Sequence, residues 1–144
     1  FVDAVNIMIN NALEHSGISD YSKLEIDIDV NKVCDEAVLE ELKDEFEKKR
    51  IKVDDLGFLE LSISNTLSED IDINVLRDKV GVIFANTKNT ETVKKYSQSE
   101  GGTGLYKLYK TFQYNIDAAY AIWYQIEENL FGISVFIGIT NIMA

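Results

Sequence analysis

Gly101, Gly102 and Gly104 fall within four residues of one another in the run Ser99-Glu100-Gly101-Gly102-Thr103-Gly104-Leu105, just ahead of an amphipathic segment. Lacking Cβ atoms, they let a ligand approach the backbone and allow the positive φ values that turn successive amides inward. The helix that follows offers unpaired N–H groups and the positive end of its dipole. The run therefore reads as a phosphate cradle, and its plainer alternative is a turn that starts a helix. Lys88, Lys94 and Lys95 precede it, and Lys107 and Lys110 follow. In a chain of net charge −11, a polyphosphate would need such a local gathering of cations, although any one of these lysines also suits an ordinary solvated face.

Three further polar residues lie beside apolar ones. Asn11 and His15 lie four residues apart on one stripe of the opening helix, flanked by Ile7 and Met8. They can line a pocket, or they can form a helix C-terminal turn closed by Gly17, with His15 favourable at the negative dipole end. In Phe58-Leu59-Glu60-Leu61-Ser62-Ile63-Ser64-Asn65, the residues Leu59, Leu61, Ile63 and Asn65 share one side of a strand. Asn65 ends that buried stripe with an amide, which needs a partner, a water or a ligand. Alternatively, Asn65-Thr66 starts a polar turn.

The elements that must position these groups follow from periodicity. Val2, Val5, Ile9, Ala12 and Leu13 recur at helical spacing over the first sixteen residues, and predict a core-facing stripe. Leu24-Glu25-Ile26-Asp27-Ile28-Asp29-Val30 alternates strictly, which predicts a strand with one buried face and one acidic face in water. Val33, Ala37, Leu39, Leu42 and Phe46 mark a second helix reaching about Arg50. A short helix over Ile73 to Lys79, an apolar patch Val80 to Phe84 and a polar stretch Asn86 to Gln98 follow; the last is long enough to fold over a ligand as a lid. Leu105, Leu108 and Phe112 bury one face of a helix beyond the glycine turn. Ala119 to Ile126 and Phe131 to Ile139 read as an antiparallel hairpin. Trp123 reads as core or sheet surface. The order predicts an α+β two-layer sandwich, a mainly antiparallel mixed sheet with helices on one face.

Composition bounds the class. A chain of 144 residues with 46% apolar content can bury the core of one domain. The acidic balance argues against a nucleic-acid surface. No apolar run is long enough for a membrane span, and the first residues lack the basic region of a signal peptide, so no membrane contact by this segment is expected. Phe1 in place of an initiator Met points to a fragment of something longer. Cys34 is the only cysteine, which excludes an internal disulfide and fits a reducing cytoplasmic setting.

Taken together, Asn10-Asn11-Ala12-Leu13-Glu14-His15-Ser16 resembles the N box of the GHKL ATPase superfamily of gyrase, the ninety-kilodalton heat-shock chaperone, histidine kinases and MutL. Asn65-Thr66 stands where that family's G1 box stands, and Gly101-Gly102-Thr103-Gly104-Leu105 resembles its G2 box. The resemblance covers essentially the whole chain and is nearest to the ATP-binding domains of quorum-sensing-type sensor histidine kinases. It implies the Bergerat fold and Mg-ATP as ligand. Asn11 then matches the asparagine that holds Mg²⁺, an oxygen ligand for a hard cation. His15 matches an N-box position that often approaches phosphate, and Asn65 one that accepts from the adenine amine. Lys88 resembles a lid lysine, and Gly102 and Gly104 match the glycines around the phosphates. Thr103 can cap the next helix or meet a phosphate oxygen.

Two departures qualify what is implied. Ile7 stands four residues before Asn11, where hydrolysing members carry a water-activating Glu, so fast hydrolysis is not expected and no catalytic residue is assigned. Leu67-Ser68-Glu69 replaces the glycines of a full G1 box. The resemblance thus implies a kinase-type domain that presents the γ-phosphate to an acceptor elsewhere in a parent protein, where missing regions could dimerise it. The alternative is a degenerate GHKL-like binding or regulatory module. A GHKL ATPase within a larger defence or repair machine is a third reading, weakened by Ile7.

Overall fold

In the computed structural model, which describes residues 2–49, 56–87, 95, 104–115 and 120–140, the chain opens with α1 (Val2–His15), a 3-10 turn (Tyr21–Lys23) and β1 (Ile26–Lys32). There follow α2 (Glu36–Lys48), β2 (Leu56–Thr66), α3 (Ile73–Asn86), α4 (Gly104–Asn115) and the hairpin of β3 (Tyr120–Glu127) and β4 (Leu130–Thr140). Two aspartates set helix starts. Asp35 accepts from the Ala37 and Val38 amides at 2.9 and 3.2 Å, and Asp72 from the Asn74 and Val75 amides at 3.0 and 3.2 Å, each satisfying donors the helix cannot. Gly17 closes α1 with φ 75°, a left-handed conformation that a side chain disfavours.

The fold is α+β. The four described strands form one antiparallel sheet in the order β1-β2-β4-β3. On one face, Leu61 and Ile63 of β2 adjoin Val135 and Ile133 of β4, with Ile122 and Ile126 of β3 beyond. Against this face pack Ala4 and Met8 of α1, Val80 of α3, and Leu105, Leu108 and Phe112 of α4. The α4 stripe is the one its spacing predicts.

Four details differ from the sequence expectation. First, α1 is turned so that Ala4, Met8 and Ala12 are its buried line, with Val5 and Ile7 beside them, while Ile9 and Leu13 are half-buried. Two alanines on the line let α1 lie close along α4, a gain that summed hydrophobicity does not register. Second, β1 is an edge strand, and beyond Ile26 the face expected to be buried is open. Third, α2 leaves the helical layer: Leu42 and Phe46 pack on Phe58, Ala121 and Phe136, which the strand registers put on the opposite face. The Trp123 indole packs on Phe136 there and donates to a Glu45 carboxylate oxygen at 2.9 Å. Fourth, the short helix and the apolar patch expected at residues 73–84 are one helix, α3.

Candidate functional site

β2 delivers Asn65 to the helical face, where its side chain is 4% exposed. Its Nδ2 donates to the Thr66 carbonyl at 2.9 Å. The amide oxygen forms no hydrogen bond with a described residue, and so is the atom left to accept one. Just after Asn65 the chain is pinned from two sides. The Leu67 amide donates to the Asn129 carbonyl in the hairpin turn at 2.8 Å, and the Ser68 amide to the Ser16 carbonyl at the end of α1 at 2.9 Å. These bonds hold the close of β2, the close of α1 and the start of α3 in one frame.

Within that frame lies a cavity of about 460 Å³. Asn11 and His15 face it from α1, Ser16 from just beyond that helix, Asn65 from β2, Leu105 from the first turn of α4 and Phe131 from β4. The remaining wall is Leu67 with Ile71 and α3, whose Asp72, Val75, Leu76, Lys79, Val80 and Ile83 repeat along one side. The lining is thus mostly aliphatic, with amides from Asn11 and Asn65 and ionisable groups from His15, Asp72 and Lys79. The His15 imidazole sits 3.6 Å from the Glu14 carboxylate in an exposed pair, an arrangement of little energetic weight.

Four residues expected to form a site, Asn11, His15, Asn65 and Leu105, therefore meet at one cavity. Gly104 opens α4. Lys88, Gly101, Gly102, Thr103 and nearly all of the expected lid lie outside the described residues. The α3 wall, including Lys79, is absent from the sequence expectation. The signal was present in the recurrence of residues 72, 75, 76, 79, 80 and 83, which is helical spacing across the boundary drawn at Lys79.

The C-terminal end of α3 is also joined to the first half of α4. Phe84 meets Tyr109 edge-on at 5.5 Å, and the Asn86 amide donates to the Tyr106 hydroxyl at 3.3 Å. Burial pushes the Tyr109 phenol well above its ordinary pKa. Contact with the Thr87 side chain opposes this, and the nearby Tyr120, Glu45 and Tyr124 add to it. Arg77 ties α3 to the sheet by donating to the Ile126 carbonyl at 3.1 Å.

Comparison of the chain with protein-family models, with curated proteins and with solved structures returns no match. No described helix is long and apolar enough to cross a membrane.

Proposed function

We propose that the cavity binds Mg-ATP and that the chain is the catalytic ATP-binding domain of a histidine-kinase-like protein, presenting the γ-phosphate to an acceptor outside this chain. One observation carries the reading: Asn11, His15, Asn65 and Leu105, separated by up to 94 positions, line one cavity. Its volume, about 460 Å³, falls within the roughly 300–1,000 Å³ of small-molecule sites. The free amide oxygen of Asn65 suits an exocyclic amine, and the aliphatic lining suits the face of a base. Among the described residues no three His, Cys, Asp or Glu side chains gather to hold a metal. A Mg²⁺ ion would then take the Asn11 oxygen together with phosphate and water oxygens, the usual sparse protein share for this ion. Ile7 packs against the core and supplies no base, which favours transfer over hydrolysis. The chemistry left to this chain is positioning and electrostatics. The setting is cytoplasmic in this reading.

A second reading, a GHKL-like module that binds or regulates without turnover, is favoured by Leu67. Its side chain lines the cavity at a position where a full G1 box has glycine, and takes up space there. Thermal unfolding with and without Mg-ATP separates the two. A ligand at a hundred times its dissociation constant stabilises the folded state by about 2.7 kcal/mol, so a clear rise in midpoint is expected. No rise at millimolar nucleotide, in the parent protein as in this chain, overturns the catalytic reading.

A further inference from the structure

Among the described residues β1 has a single strand neighbour, β2, so its outer row of N–H and C=O groups faces away from the sheet. Its two faces are unlike. Ile26, Ile28 and Val30 pair with Asn65, Ile63 and Leu61 and so lie on the side that carries α1, α3 and α4. The described helices stop short of this edge, with Ile28 43% and Val30 58% exposed. Asp27 and Asp29 project on the other side, opposite Ser64 and Ser62, and Glu25 precedes them with the same parity. None of the three carboxylates is ion-paired with a described residue.

Natural edge strands are commonly closed to further pairing by charge. Here the three carboxylates occupy one face, and the one charge on the other, Lys32, stands at the far end of the strand. From Ile26 to Val30 the other face is apolar, and among the described residues the main-chain row is open, the combination that strand addition uses: backbone bonds for affinity, alternate side chains for specificity. A second copy of β1 is a poor occupant. In antiparallel pairing, the register that stacks Ile28 on its own copy sets Asp27 opposite Asp29 twice, and like charges directly opposite are destabilising.

We infer that β1 is the docking edge for an extended segment of another protein in which Lys or Arg alternates with Val or Ile. The basic side chains lie beside Asp27 and Asp29, the β-branched ones cover Ile28 and Val30, and the segment adds one strand to the sheet. This surface is independent of the nucleotide reading, and its test needs no nucleotide.

The test is fluorescence anisotropy of a labelled peptide of alternating Lys and Val, about seven residues long to match a typical strand, titrated with the whole chain. Saturable binding is expected, weakened at least about tenfold by Asp27→Lys with Asp29→Lys, since two cross-strand attractions become repulsions. Ile28→Lys should weaken it as well; all three positions are exposed, and circular dichroism checks that the variants fold. A peptide of the same sequence, N-methylated at the amides that face β1, should not bind. This arm leaves the protein unaltered, so it decides the matter even if a variant misfolds. The inference is overturned if the parent peptide does not bind at millimolar concentration, or if the N-methylated peptide binds as well as the parent, since charge alone then accounts for it. It is equally overturned if sedimentation shows a dimer of this chain that Ile28→Lys dissolves, because the edge then belongs to a second copy.

Discussion

The rings of Phe46 and Phe58 stack with centroids 5.4 Å apart and planes 3° from parallel, joining α2 to β2 on the face of the sheet away from the cavity. Both are fully buried, so Phe46→Ala should cost about 3–5 kcal/mol, the usual range for emptying a buried aromatic site. Denaturant unfolding measures the loss. The chain's only tryptophan, Trp123, abuts the same cluster and should report it as a red-shifted emission. The milder Phe46→Leu should leave any Mg-ATP stabilisation intact, because α2 contributes nothing to the cavity lining.

Gly17→Ala should destabilise the chain by more than its single methyl implies. The residue has φ 75°, which costs an alanine roughly 1–2 kcal/mol. In addition, its Cβ would come within 2.9 Å of Ile71 Cδ1 and 3.1 Å of Ser68 Cβ. Combining Gly17→Ala with Ile71→Val relieves only part of the steric share. Partial recovery of the unfolding midpoint is therefore expected, and full recovery would show that the backbone carries no strain.

Nucleotide binding should discriminate between adjacent residues of α1. Asn11 lines the cavity and Asn10 is exposed on the far side, so Asn11→Ala should abolish the Mg-dependent part of the ATP stabilisation while Asn10→Ala leaves it unchanged. Equal effects would mean that the wrong helix face has been assigned to the ligand. Inosine triphosphate replaces the base amine by a carbonyl, which the Asn65 oxygen would repel. The chain should prefer ATP to it by about tenfold or more, as for loss of a buried hydrogen bond with an acceptor left facing an acceptor.

Alkaline pH should loosen the join between α3 and α4. Burial raises the phenol pKa of both Tyr109 and Tyr120, so the fold favours their protonated forms. Above about pH 10 the unfolded chain loses these protons first, and stability that is complete below that point falls as pH climbs towards the raised folded-state values. Tyr109→Phe should flatten this alkaline limb in pH-dependent denaturant titrations and leave the dependence between about pH 6 and 9 unaltered.

Strict alternation in β1, the apolar stripe of α4 and the hairpin segments were legible because each is a local pattern with its own period. The polar end of the β2 stripe was legible for the same reason: Asn65 breaks a run of leucine and isoleucine. The side of the sheet that takes α2 was not, because Leu42 and Phe46 fit either face until Phe58 and Phe136 are known to point the other way. Nor was the exposure of Ile28 and Val30, which depends on how far a helical layer extends and not on their own residue types. Asn11 and His15 could be grouped by their spacing, but the α3 wall that encloses them was hidden by ending that helix at Lys79.

The sheet order has a consequence for how the chain reaches this state. Its central pairing joins residues 56–66 to residues 130–140, and Phe131 of the cavity wall arrives with the same strand. Until β4 emerges, Leu61 and Ile63 have no neighbour on that flank, and loop closure over so long a stretch must come before any contact rewards it. During synthesis the cavity therefore cannot close before β4 has emerged, and a chain that stops short of β4 leaves β2 with an open, aggregation-prone edge.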